Sequence, residues 1–189
     1  YETVTRLLGF GTHGQGSVMA LASFGRPGKG MRPFLSWKGL KSHAIHEVGI
    51  NERFKSLARH EEAPLTRGHQ NLAASLQDSL EKTIIGLLRS AGVKPGVEGL
   101  CLAGGVALNC RMNQVLRDVF KPKRMFVQPG ANDAGTALGA GLEAWSLVKA
   151  GKPEDGQPMP LMEHALLGPS FSRAEILARL KSAGVFFKL

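Results

Sequence analysis

Two short segments of this sequence carry residues whose types and spacing suit a phosphate-bearing ligand. The first is LAGGVALNC, residues 102–110. An apolar run ends, Gly104 and Gly105 follow, and a helix-forming stretch begins beyond Val106. Such a turn leaves backbone amides free at the helix start, and paired glycines give a ligand room to reach them. Asn109 falls one turn into the expected helix and Asn113 four residues further, so the two side chains can share a face. There they could meet a ribose hydroxyl or a base edge. The same pattern also serves as a tight structural turn, and it lacks the Gly-Lys-Ser/Thr of a P-loop. The second segment is PGANDAGTALGAG, residues 129–141, where a glycine-bearing turn again leads into a helix. Asp133 at that helix start reads either as an N-cap or as an oxygen ligand to a hard metal ion or Mg-nucleotide. Two such turns converging on one cleft are what a nucleotide between sheet and helices requires.

Other reactive side chains offer less. Ser17, in GSVMALASFG, could meet a phosphate, while Met19 and Leu21 read as core. His43 and His46 are three apart and could share a helical turn, yet nothing nearby completes a metal set. His13, in a glycine-rich turn, reads as a loop residue. Cys101 and Cys110 lie in an apolar stretch and read as buried; their number and spacing suit neither a disulfide scaffold nor a zinc site. A reducing, cytoplasmic setting is the expectation.

The elements that must position these residues follow from periodicity and helix breakers. Short helices are expected over 2–8, 15–24 and 52–59, and a strand over 32–37. The clearest helix runs from Asn71 to Ser90: Leu72, Leu76, Leu80, Ile84, Leu87 and Leu88 form one apolar stripe, and Gly92 and Pro95 stop it. Gly99–Leu102 reads as a strand and 107–119 as a helix closed by Lys121-Pro122. A strand over 124–128 and a helix from Asp133 or Ala134 to Ala150 complete the order. Helices alternating with apolar strands indicate an α/β layer architecture. Residues 151–167 read as a Gly/Pro-rich linker. Ser172 and Glu175 then form a capping box opening a further helix to Ser182, with VFFKL as another strand. A first domain is thus expected over 1–167 and a second from 168, cut short at 189.

Composition limits the choices. The chain has 189 residues, 43% of them hydrophobic and 21% charged, which argues against wholesale disorder. No apolar run approaches the roughly 18 residues of a membrane span. The formal charge of +9 is spread along the chain, with one tyrosine and no recognisable nucleic-acid motif, so nucleic acid is not the expected partner. The first residue is Tyr rather than Met and the last are apolar, as expected of a piece of something longer.

GGVALNCRMN together with PGANDAGTALGAG resembles the nodulation-type and antibiotic O-carbamoyltransferase family. LAASLQDSLE, LLGFGTHGQGSVMALASFG and LGPSFSRAEI are similar to that family too, the last to the start of its smaller C-terminal domain. The resemblance implies a ribonuclease-H-like half of an actin/sugar-kinase/Hsp70-like domain, followed by the beginning of a truncated C-terminal domain. It implies ATP and a divalent metal (Mg, Mn or Fe) as cofactors and carbamoyl phosphate as substrate. Carbamoyl adenylate would form and its carbamoyl group pass to a hydroxyl of a sugar or other small acceptor. Gly104, Gly105 and Val106 would line the nucleotide with Asn109 nearby, and Asp133 would be a metal ligand. The family's HxxxH pair is not found, so those ligands would come from the missing N-terminal half of the domain, and this piece alone would be inactive. SVMALASFG departs from the family's KVMGLAPYG at Ser17, Ala20 and Ser23. Relatives in the same fold are threonylcarbamoyl-tRNA-modification and hydrogenase-maturation proteins; a sugar-kinase- or chaperone-like nucleotide binder is the alternative from another class.

Overall fold

The computed structural model describes residues 1–28, 34–44, 47–149, 165 and 168–188. It is a mixed α/β structure that divides into two compact units, Tyr1–Leu142 and Glu143–Leu189. The division falls inside helix α6, Thr136–Lys149. The linker expected over 151–167 lies outside the described residues, save for Ala165.

In the first unit, α1 (Glu2–Leu7), α2 (Gln15–Ala22) and α3 (Glu47–Arg53) gather around the amino-terminal half of α4 (Arg67–Ser90). Val4, Leu8, Val18, Leu21, Phe34, Ile50, Phe54, Leu72 and Leu76 form the shared core. An antiparallel hairpin of β1 (Leu35–Lys38) and β2 (Lys41–Ala44) lies against α4. Trp37 of β1 sits over Gly86, where any side chain on α4 would collide with the indole. The hairpin was not legible in the sequence as two strands, and it puts His43 on a strand rather than on a helical turn. His46 lies outside the described residues.

The stripe expected on α4 serves two cores. Leu80 belongs to a second cluster with Leu100, Met112, Leu116 and Phe120, joined by Ile84, Leu88, Leu102 and Met125. Polar side chains at four-residue spacing zip a neighbouring segment onto the helix. Asn71 Oδ1 accepts from Arg26 N, Ser75 Oγ from Gly28 N and Ser79 Oγ from Phe34 N. Four residues are slightly more than one turn, so the three oxygens form a row. Thr66 and His69 cap the helix start, with His69 Nδ1 accepting the Thr66 amide at 2.9 Å. At the other end Gly92, at φ +82°, closes a Schellman motif: Val93 N donates to Leu88 O and Gly92 N to Arg89 O.

The strands β3 (Gly99–Leu102) and β4 (Arg124–Val127) pair in parallel, with α5 (Cys110–Phe120) as the crossover between them. One sheet face, carrying Leu100 and Met125, packs on the second core. The other carries Cys101 opposite Phe126, both exposed. Cys110 is exposed as well. Burial of the two cysteines was expected from their apolar neighbours. Alternation of side chains along a strand puts Cys101 on the uncovered face, and Cys110 opens α5 at its solvent side. Helix α6 is exposed along most of its length, including the apolar Leu138, Trp145, Leu147 and Val148. No described helix is long and apolar enough to cross a membrane.

In the second unit, α7 (Arg173–Ser182) begins at the expected capping box, with Ser172 Oγ accepting from Glu175 N and Ser172 N donating to the Glu175 carboxylate at 2.7 Å. The Ser172 hydroxyl, donating to that carboxylate at 2.7 Å, and then the Ser172 amide hold the Glu175 carboxyl below its ordinary range. Gly184 closes α7 by a second Schellman motif, with Val185 N donating to Leu180 O. Val185–Lys188 form no strand: a strand needs a partner, and none pairs with them among the described residues.

Candidate functional site

Because β3 and β4 are adjacent and parallel, both leave the sheet at the same, carboxyl edge. Ligands of open α/β sheets bind outside that edge. The glycine turns singled out in the sequence occupy it. They are joined directly, for Gly104 N donates to Ala131 O at 2.8 Å.

The first turn departs from the expected helix. Gly104 takes φ +93° and ψ 160°, a conformation that favours glycine. Gly105–Leu108 then form one 3-10 turn, and α5 starts only at Cys110. The first amides of such a turn, those of Gly105 and Val106, have no acceptor within it. A side chain built on Gly104 or Gly105 would meet none of the described residues within 4 Å. Val106 and Leu108 stand 49% and 46% exposed beside that open space. Asn109 is therefore not one turn into a helix but the N-cap of α5: its Oδ1 accepts from Met112 N at 2.9 Å. Asn113 donates from Nδ2 to Ala107 O at 2.7 Å, while its Oδ1 is buried without a partner among the described residues. The two asparagines thus hold the turn from either side, and sequence spacing alone did not show that.

The second turn is built around close glycine contact. A side chain on Gly135 would run into the carbonyl of Gly130. Asn132, not Asp133, caps the 3-10 turn Asp133–Gly135, its Oδ1 accepting from Ala134 N at 3.3 Å. The capping reading of Asp133 is thereby corrected: the preceding residue has the extended backbone a cap needs. Asp133 is exposed, and its backbone carbonyl accepts from Thr136 Oγ1 at 2.6 Å.

The joined turns leave open space at Gly104 and Gly105, beside the Gly105 and Val106 amides. They do not make a metal centre from these residues. Among the described residues no three His, Cys, Asp or Glu side chains come together as a cation site. Ser17 and His13 are exposed, and α2 reaches α5 through Met19 Sδ, 3.8 Å from Cys110 Sγ. A concavity of about 350 Å³ lined by Ala91, Gly92, Val93, Lys94, Pro95 and Val97 lies before the amino end of β3, away from the glycine turns. Lys94 is its one charged lining residue, and it carries no catalytic constellation.

Residues that the sequence did not single out complete the surroundings. Gln77 of α4 exchanges two hydrogen bonds with Asn109: Nε2 to Oδ1 at 3.0 Å and Asn109 Nδ2 to Oε1 at 2.9 Å. Tyr1 Oη donates to Gln77 Oε1 at 3.0 Å. Burial, reinforced by the nearby Glu81 charge, pushes the Tyr1 phenol up to about 12 against a lowering bond with Asn109. The signal for Gln77 was weak: a polar residue one position beyond Leu76 on a helix whose stripe is otherwise apolar.

A family model described as the carbamoyltransferase N-terminus matches residues 1–142, the span of the first unit. The chain is 33% identical over 202 residues to an uncharacterised protein of Synechocystis sp., covering 98% of this chain and 33% of the relative. It is 34% identical to nodulation protein NolO of Bradyrhizobium diazoefficiens, over 85% of this chain and 30% of that protein. It is 36% identical to nodulation protein NolNO of Sinorhizobium fredii, over 75% and 22% respectively. The chain thus spans a third or less of the length of these relatives. With the family's N-terminal portion matched across both glycine turns, the chain belongs to the carbamoyltransferase family.

Proposed function

We propose that the joined turns at the carboxyl edge of β3 and β4 hold ATP in an O-carbamoyltransferase, a protein with the duplicated ribonuclease-H-like fold of actin and sugar kinases. The observation that carries this reading is the bond from Gly104 N to Ala131 O, which sets two glycine turns side by side in a chain of this family. Gly104, Gly105 and Val106 line the phosphates, where the amides of Gly105 and Val106 offset their charge without having to reorganise. Asn109 and Asn113 shape that wall. Water cleaves carbamoyl phosphate to carbamate and inorganic phosphate; a carbamate oxygen then attacks the α-phosphorus of ATP and pyrophosphate leaves. A hydroxyl of a small-molecule or sugar acceptor then attacks the carbamoyl carbon and AMP leaves. A cleft closed to water protects the labile carbamoyl species.

Asp133 supplies one hard oxygen ligand for a divalent cation such as Mg, Mn or Fe. The described residues do not complete that site, so no step is assigned to the metal. Its further ligands belong to the rest of the longer protein, in a cytoplasmic setting.

The full-length protein, given ATP, carbamoyl phosphate and labelled pyrophosphate, should exchange label into ATP only when carbamoyl phosphate is present. ATP binding without such exchange rejects carbamoyl transfer and favours a kinase- or chaperone-like nucleotide binder. Asp133→Asn should lower the bound metal while leaving the circular dichroism spectrum unchanged; unaltered metal stoichiometry refutes the ligand assignment.

A further inference from the structure

We infer that Gln77 is the positioning residue of the nucleotide turn: its side-chain amide, held in one orientation between α4 and α5, sets where Gly104–Asn109 lies. The inference rests on the nucleotide reading above and adds a residue that touches no ligand.

Gln77 is 5% exposed, yet every hydrogen-bonding position of its amide is used. Nε2 donates to Glu81 Oε1 at 2.9 Å and to Asn109 Oδ1 at 3.0 Å. Oε1 accepts from Tyr1 Oη and from Asn109 Nδ2. The ends of this chain of bonds fix its direction. An ionised carboxylate only accepts, so the Gln77 NH₂ must face Glu81. A backbone N–H only donates, so the Asn109 oxygen must face Met112 N. Between those ends the paired amides fit together in a single arrangement. Arg111 Nε, 3.5 Å from Glu81 Oε1, steadies the acidic end.

The clasp grips the turn where it matters. Asn109 is the last residue of the turn and the cap of α5, so displacing its side chain displaces both. Asn113 holds Ala107 and the Ala131 carbonyl holds Gly104. Gln77 is the link that refers this segment to α4, the helix shared by both cores. An amide serving only its own burial would not need a reciprocal pair across two elements. Loss of one partner leaves buried polar groups unpaired and the turn free to shift.

The test uses the full-length protein as wild type, Gln77→Met, Asn109→Ser and the double variant. Serine preserves a cap for α5 but cannot return the paired bonds. Hydrogen exchange of the 104–109 amides is measured without nucleotide, alongside thermal unfolding, and ATP affinity by calorimetry. Gln77→Met should speed exchange at the turn and weaken ATP binding by roughly tenfold. Asn109→Ser should do the same, and the double variant should be little worse than either, since the two act as one unit. A lower melting temperature with unchanged exchange and ATP affinity makes Gln77 merely structural and overturns the inference. So do additive losses, which would mean that Asn109 meets the nucleotide independently of Gln77. A wild type that holds no ATP sinks the nucleotide reading instead, and the exchange data then still decide whether Gln77 positions the turn. If Gln77→Met does not fold, Asn109→Ser decides the matter by the same readouts.

Discussion

Between Gly104 and Asn109 the segment is held at three points by residues outside it: Ala131 and Asn113 bond its backbone, and Gln77 bonds the Asn109 side chain. Between Gly130 and Asp133 the side-chain bonds are short-range, from Gly130 N to Gln128 Oε1 and from Ala134 N to Asn132 Oδ1, each at 3.3 Å. The first turn is a preorganised wall with open space beside two glycines. The second is a close glycine-on-glycine contact that presents an exposed carboxylate. The difference teaches how one edge can divide labour. Amides that offset charge act best when fixed beforehand, whereas a cation ligand can finish its placement as the cation binds.

Breaking the support of the first turn should give the largest effect. Phe120 is fully buried where α5 meets the second core. Phe120→Ala should cost about 3–5 kcal/mol in urea unfolding. A loss below about 1 kcal/mol would mean that this core does not anchor the α5 that the turn leads into. The second turn should break locally. Gly135→Ala drives a methyl group into the Gly130 carbonyl and should cost about 1–3 kcal/mol by the same measurement. Gly105→Ala has open space and should stay within about 0.5 kcal/mol of wild type. It nevertheless fills the cradle, so ATP affinity should fall; equal stability losses at the two glycines would erase the contrast between the turns.

The smallest effect sharpens the comparison through pH. Burial, aided by the Arg59 charge, holds the His69 imidazole below its ordinary pKa. The unfolded chain therefore takes up the proton first as pH falls. His69 contributes full stability above its unfolded pKa and loses it as pH drops from there towards the lowered folded value. Protonation also removes the Nδ1 acceptor of the Thr66 amide, at the start of the helix that carries Gln77. Melting temperature should decline on acidification through this window, and His69→Gln, which keeps an acceptor without the titration, should flatten the decline. An unchanged pH profile in that variant would remove His69 from the account.

What could be read without coordinates was local. The stripe on α4, the Ser172–Glu175 box and the stop at Gly92 all appear in the structure. So do β3 and β4 and the two glycine turns that follow them. The hairpin escaped because β2 reads as polar, with no apolar run to mark it as a strand. Asn109 was misplaced because the 3-10 turn before α5 has the composition of a helix. Burial of Cys101 was overestimated because an apolar run does not reveal which of its two faces is covered.

Helix periodicity, the Ser172–Glu175 cap and the glycine stop at Gly92 depend on residues a few positions apart, so the amino-acid sequence determined them by itself. Which turns would meet was decided only in three dimensions. Gly104 and Ala131 are neighbours because β3 pairs in parallel with β4, and Gln77 reaches Asn109 because α4 and α5 share a core. Such partners are far apart along the chain, and no local propensity records them: their contact follows from burying apolar faces together, which fixes the polar pairs between.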